Sequence, residues 1–263
     1  MNIIVCIKQV PGTNKVNVDP VTGVLIRDGV DSKINPYDLF ALETAFSISE
    51  QTNGKVKVLS MGPPQAMEVL KEAIYMGGDE GALLSDRKFG GADVFATSNA
   101  LALGVDKLKP FDIIICGKQT TDGDTAQVGA ELAEMLNVEH ISNVTEILEL
   151  SKTHITVKID LDSSLQVVKI KLPCLITTEK DINTPRVPSY NRKKQFENSN
   201  AISVYSVADF INADETKLGL RGSPTKVERI FPPEKNDNKQ ILTGSSQELS
   251  DSLYNLLKEN KFI

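Results

Sequence analysis

The chain has 263 residues, 40% hydrophobic and 24% charged, with a formal net charge of -6. That length supports one sizeable core, or one large domain with an appendage. The acidic balance, the absence of Trp and the scarcity of Tyr exclude a basic, aromatic-lined nucleic-acid surface.

The opening "MNIIVCIKQV" reads as a buried strand, Ile3 to Ile7, too short and wrongly flanked for a signal peptide. Turn punctuation at Asp19-Pro20 and Thr22-Gly23 follows, with valines at 16, 18, 21 and 24 suited to a short excursion. "INPYDLFALETAFSISEQTNG" predicts a helix with Asn35 as N-cap, Pro36 at N1 and Asp38 in the first turn. Leu39, Leu42, Phe46 and Ser49 recur down one side of it, widened by Ala41, Ala45 and Ile48, and Asn53-Gly54 ends it.

Val56 to Ser60 is the second core strand, and Gly62-Pro63-Pro64 switches it into a helix that buries Met67, Leu70 and Ile74. Gly77-Gly78 closes that helix before a short strand at Gly81 to Leu84. A further helix stops near Pro110, and Phe111 to Cys116 is the fourth strand. The recurring strand–helix order predicts an α/β fold: an open, mostly parallel sheet with helices on both faces.

After Asn137 the period changes. Val144 to Leu150, Ile155 to Leu161 and Leu165 to Ile170 alternate as antiparallel strands with one wet face, a hairpin excursion near 143–171. Leu172 to Thr177 returns to the main sheet. Residues 181–200 are polar and broken by Pro185 and Pro188, and Arg192-Lys193-Lys194 reads as a solvated basic loop. Residues 201–210 carry a weak helical pattern. The division expected is an α/β domain over 1–215 and an extended C-terminal arm over 216–263. The arm ends in a helix capped at Ser246 with Leu249, Leu253, Leu256 and Leu257 on one side. Such an arm has little of its own to bury against, so a partner chain is the expected surface.

No segment reaches transmembrane length. Cys6, Cys116 and Cys174 lie in apolar segments without CxxC spacing, as reduced thiols of a cytoplasmic protein would. His140 and His154 have no metal-ligand partner nearby in sequence, so no metal is expected.

The chemistry concentrates in "IIICGKQTTDGDTAQVGAELAEML", a strand, a small polar loop and a helix. It is neither a Walker A loop nor a GxGxxG fingerprint. Asp124-x-x-Gln127 has the spacing of a capping box ahead of Val128. The first-turn amides and the hydroxyls of Thr121 and Thr125 suit a phosphate. Gly123 permits an unusual backbone angle, and Gly129 permits a close approach. Asp122 and Asp124 are an electrostatic objection to an anion. It is eased if Asp124 is taken up by its own helix amides and Asp122 accepts from ribose hydroxyls. Cys6-Ile7-Lys8, Met61-Gly62-Pro63 and Gly117-Lys118-Gln119 fall at the carboxyl ends of parallel strands, where α/β sheets bind ligands. There an adenine ring could lie against Cys6 and Met61, with Asn35 at the rim. No acid–base set is present, so no catalytic residue is assigned, and a bound cofactor would supply the chemistry.

The segments "CIKQVPGT" (6–13), "DGVDSKINPYDLFALETA" (28–45), "SMGPPQAMEVLKEAIYMGGDEGALL" (60–84), "ICGKQTTDGDTAQVGAELAEML" (115–136) and "LPCLITTEKDINTPRVPSY" (172–190) together resemble the β subunit of electron transfer flavoprotein over essentially the whole chain. The resemblance implies a heterodimer with an α subunit that carries the redox FAD and is wrapped by the C-terminal arm. In ordinary members the β subunit holds a structural AMP. In electron-bifurcating members an FAD takes that place, receives a hydride from NADH, and splits the electrons between ferredoxin and, through the α-subunit FAD, an acyl-CoA dehydrogenase or reductase. "SDRKFGGADVFATSNAL" (85–101) and "TTDGDTAQVG" (120–129) resemble the bifurcating group, which implies FAD here, with AMP as the alternative. The family pattern and the strand ends together give the candidate cofactor contacts: Cys6, Lys8, Asn35, Met61, Gln119, Thr120, Thr121, Asp122, Gly123, Asp124, Thr125, Gln127, Val128 and Gly129. The segment "NRKKQFENSN" corresponds to the family's dehydrogenase-docking loop but has no leucine anchor. An adenine-nucleotide-binding enzyme or sensor module is the alternative of another class. An ATP-pyrophosphatase-like enzyme would need an SGGxDS-type loop, which "CIKQVPGT" is not.

Overall fold

A computed structural model describes residues 1–12, 17–18, 25–26, 32–161, 163–197, 199–211, 213–228, 239 and 241–263. The chain opens with β1 (Asn2–Cys6), then β2 (Gln9–Pro11), β3 (Asn17–Val18), β4 (Leu25–Ile26) and β5 (Ser32–Ile34). β2 pairs antiparallel with β5, and β3 with β4. The turn residues expected between β3 and β4, Asp19 to Gly23, lie outside the described residues. α1 (Pro36–Thr52), β6 (Lys55–Met61), α2 (Met67–Met76), β7 (Glu80–Leu84), α3 (Val94–Leu108), β8 (Ile113–Gly117) and α4 (Val128–Leu136) follow. Next come β9 (Glu139–Leu150), β10 (His154–Asp160), β11 (Leu165–Lys171), β12 (Cys174–Thr178), α5 (Tyr190–Phe196), β13 (Ile202–Tyr205), α6 (Gly219–Gly222) and α7 (Ser246–Glu259).

The main sheet has nine strands in the order β11-β10-β9-β12-β8-β1-β6-β7-β13. From β9 to β13 neighbours run parallel, while β10 and β11 add an antiparallel extension beyond β9. Successive residues of β1 explain the layering. Ile3 and Val5 face a cluster with Leu42, Phe46, Leu70 and Ala73 of α1 and α2. Ile4 and Cys6 face the opposite cluster, with Leu101 and Val105 of α3 and Leu132 of α4. A strand buried on both faces must be apolar, and the fully buried runs Ile3–Cys6 of β1 and Ile113–Cys116 of β8 are. On β10, Ile155, Val157 and Ile159 are buried while the intervening residues are more exposed, the alternation of a sheet with one wet face.

Two segments differ from the sequence expectation. Residues 202–205 form the edge strand β13, paired with Gly81 to Leu84, rather than a helix. Within the polar stretch 181–200, Ser189 caps α5, and Arg192 donates to the carbonyls of Ile74 (2.9 Å) and Gly78 at the end of α2. Arg192 is therefore engaged, and Lys193 and Lys194 stay exposed. Upstream, Arg186 clamps the buried Glu43 of α1 with two 2.8 Å bonds and lies over the Phe46 ring. That pairing accounts for a charge inside the α1 interface.

The chain forms two compact units, Met1–Glu228 and Arg229–Ile263. Residues 216–228 are tied to the first: Leu220 donates to Gly90 O, and Thr225 donates to the Asp93 carboxylate that also caps α3. In the second unit, Ser245 rather than Ser246 caps α7, in a reciprocal capping box with Glu248.

Candidate nucleotide-binding site

Strand order reverses between β1 and β8, so their carboxyl ends open a crevice at a topological switch point. Lys8, Met61 and Gln119 lie at or just beyond strand ends around it, and residues 118–127 form the loop above it. Residues 121–127 are exposed. A groove of about 200 Å³ lies elsewhere, between α1 and β9, and the candidate contacts do not line it.

The loop is held from below. Asn35, with 0% of its surface exposed, is a buried brace and not a rim residue. Its amide donates to Gln119 O (2.9 Å) and accepts from Thr121 N (3.2 Å), while its own N–H donates to Lys8 O (2.9 Å). The same amide donates to Asp38 Oδ1 (2.9 Å), and Asp38 Oδ2 accepts from Lys8 N (2.7 Å). Gly117 is needed beneath them, because a Cβ there would stand 2.4 Å from Asp38 Oδ1 and 2.7 Å from the Tyr37 carbonyl carbon. Burial pushes the Asp38 carboxyl up to about 7, against the pull of the Asn35 amide, the Lys8 and Gly117 backbone and the Lys8 charge. Asp38 escaped the site reading because a first-turn acid ordinarily faces water. The available signal was its register: positions 38, 41, 42 and 45 form one stripe, and Asp38 alone on it is charged.

The capping box expected at Asp124 is not formed. α4 begins at Val128 with Gln127 at N-cap and no side-chain cap, so its first-turn amides lack a capping side chain. Asp124 accepts instead from the Gln119 amide. Asp122 accepts from Lys8 Nζ at 2.7 Å. Burial raises the Asp122 carboxyl, but the Lys8 hydrogen bond and charge carry it below the ordinary range. Both loop carboxylates are therefore partnered by side-chain donors, which weakens the electrostatic objection to an anion at the helix end.

The unusual backbone is also displaced from the expected residue. Asp124 (φ 53°) and Ala126 (φ 55°), not Gly123, occupy the left-handed region. Non-glycine residues held there carry local strain, which concentrates at ligand sites. Gly129 is buried, and a Cβ would stand 2.6 Å from Thr177 Cγ2, so its close approach is to β12. Cys6 and its β8 neighbour Cys116 are nearly buried and unpaired by disulfide, and Met61 packs half-buried against the α3-side cluster.

The donor set fits a phosphate ester. It comprises unengaged first-turn amides of α4 and the hydroxyls of Thr121 and Thr125, while the Lys8 ammonium and the Thr120 hydroxyl at the loop's edge are both engaged by Asp122. Among the described residues no cluster of His, Cys, Asp and Glu could hold a metal, and no helix is long and apolar enough to cross a membrane.

A doubly wound sheet with such a loop at its switch point has the architecture of a nucleotide-binding α/β protein. The model of the electron transfer flavoprotein domain matches residues 22–209. The chain is 43% identical over 263 residues to the electron transfer flavoprotein subunit beta of Thermoanaerobacterium thermosaccharolyticum, covering all of both chains. It is 42% identical over 266 residues, again across both full lengths, to the caffeyl-CoA reductase–Etf complex subunit CarD of Acetobacterium woodii. Against protein FixA of Sinorhizobium fredii it is 40% identical, covering 100% of this chain and 94% of the relative. The chain belongs to the electron transfer flavoprotein β-subunit family.

Proposed function

We propose that this chain is the β subunit of a heterodimeric electron transfer flavoprotein, binding FAD at the β1/β8 crevice and drawing electrons from NADH. When bound, the flavin would supply hydride acceptance and the division of the electron pair between ferredoxin and, through the α-subunit FAD, an acyl-CoA dehydrogenase or reductase. The observation that carries this reading is the full-length similarity to a subunit named for a caffeyl-CoA reductase–Etf complex. The crevice supports it with a donor set suited to a diphosphate.

The protein's own contribution is binding and orientation. The α4 amides and Thr125 take phosphate oxygens, Lys8 offsets their charge, and the Asn35 network fixes the loop's position. The exposure of residues 121–127 in the lone chain fits a site completed by the α subunit. The C-terminal unit supplies the heterodimer contact, and the α5 region faces the dehydrogenase.

Releasing and identifying nucleotides from the anaerobically purified heterodimer tests the assignment. Two FAD and no AMP per heterodimer are expected. One FAD and one AMP would overturn the bifurcation reading and leave a β subunit with a structural nucleotide. Thr125→Val and Asp122→Ala should each lower nucleotide retention with the sheet intact; unchanged retention in both would remove the loop from the site.

A further inference from the structure

We propose that Asp38 is the positioning residue of the nucleotide loop, a buried carboxylate whose ionisation sets how firmly the loop is held over the crevice. The inference rests on the nucleotide reading above and deepens it.

Asp38 is 4% exposed and joins three pieces of chain that are remote in sequence. One oxygen takes Lys8 N at the exit of β1 (2.7 Å), and the other takes the Asn35 amide (2.9 Å) and abuts Gly117 at the end of β8. Asn35 relays this to the loop by donating to Gln119 O and accepting from Thr121 N. The hydrogen-bond partners around the carboxylate, the Lys8 and Gly117 backbone and the Asn35 amide, are N–H donors, so the ionised form satisfies them all. A proton on either oxygen removes the charge assistance and places a donor among donors. The Asn35 amide cannot turn to accept that proton without giving up both loop bonds.

The titratable groups facing this point are Lys8, engaged with Asp122, and the thiols of Cys6 and Cys116; the Lys118–Glu179 pair lies at the neighbouring strand ends. The Cys116 thiol is pushed well up by its hydrogen bond to Cys6 and by burial, so it stays protonated near neutrality. Burial holds the Asp38 carboxyl near 7, inside the range over which the brace would loosen.

FAD titrated into the nucleotide-free, full-length chain tests this, because its diphosphate does not titrate near neutrality. AMP serves as competitor. Wild-type affinity should fall about tenfold between roughly pH 8 and pH 6, the size of an ordinary coupling between linked sites. Asp38→Asn should bind more weakly than wild type at the higher pH and show no such step. Amide exchange at Lys8 and Thr121, whose N–H groups donate to Asp38 and Asn35, should rise over the same interval in the ligand-free wild type only, after correction for intrinsic pH dependence. Nucleotide binding by wild type without a pH step, or a step retained in Asp38→Asn, overturns the role of Asp38 and leaves the site standing. Failure of wild type to bind either nucleotide at any pH, both alone and as the heterodimer with its α partner, overturns the site and this inference with it. Should Asp38→Asn not fold, the wild-type affinity and exchange profiles decide, and flat profiles overturn the proposal.

Discussion

The loop tip at 121–127 and the helix α7 are both exposed, yet they are defined by opposite means. The loop has almost no local regularity. Its position comes from two buried residues: Asn35, more than eighty positions away in sequence from the backbone it holds, and Asp38, which holds the Asn35 amide. α7 carries its own instructions: a reciprocal capping box at Ser245 and Glu248, and leucines spaced along one side. None of those leucines is buried; Leu253 is 49% and Leu256 41% exposed. The loop is thus set by tertiary structure and α7 by local sequence. An apolar face left uncovered points to what a partner supplies.

Removing residues 232–263 should give the largest effect, and on one side of the comparison only. Copurification with the α subunit should be lost, while the unfolding transition of the remaining chain stays near that of wild type. Retained copurification would show that the uncovered leucines are not the heterodimer contact.

Next in size is the pH dependence that Asp38 imposes on stability. Its carboxyl rises from an ordinary 3.8 to about 7 on folding. The folded chain therefore keeps a proton that the unfolded chain releases above about pH 4. This stabilising contribution is full below that pH and is lost as pH rises through about 7, on the order of 4 kcal/mol in all. Urea unfolding of wild type should weaken across that window relative to Asp38→Asn, and parallel curves would deny the burial cost. Ionised Asp38 therefore opposes folding under the conditions in which it braces the loop best, the trade expected where a site is kept strained for binding.

Gly117→Ala sharpens the same side. The new methyl would meet Asp38 Oδ1 at 2.4 Å and the Tyr37 backbone at 2.7 Å, and neither has room to retreat. A loss of about 2 kcal/mol in chemical unfolding is expected, with faster amide exchange at Thr121. A neutral result would mean that the floor of the crevice yields more readily than its packing implies.

The contrast also explains what could be read in the sequence. Strands such as β1 and β8 were legible because burial on both faces requires unbroken apolar runs, and α1 because Pro36 and Asn53 mark its ends. β13 was not, since four residues at a sheet edge carry too little period to outweigh a helical pattern. α5 was hidden because what fixes it is Arg192 reaching the end of α2, a contact without a sequence spacing. At the site, the chain position of the loop was legible and its geometry was not. Asp124-x-x-Gln127 has capping-box spacing, but Gln119 claims the Asp124 carboxylate and α4 starts at Val128. Lys8 and Asp122 were both named as contacts, but their pairing spans 114 positions and only the fold discloses it.

The smallest effect tests the locally encoded side. Ser245→Ala removes the hydroxyl that accepts from Glu248 N and donates to the Glu248 carboxylate at 2.8 Å. If α7 is specified by its own cap, amide exchange in its first turn should quicken about fivefold in the free chain, the usual size of a lost N-cap. The crevice loop, which shares no residue with this cap, should exchange as before. In the heterodimer the difference should shrink, because leucines buried against a partner would hold the helix whether or not its first turn is capped. An equal effect in both states would mean that the partner never covers this face, and that the spacing of Leu249, Leu253, Leu256 and Leu257 is a property of the helix alone.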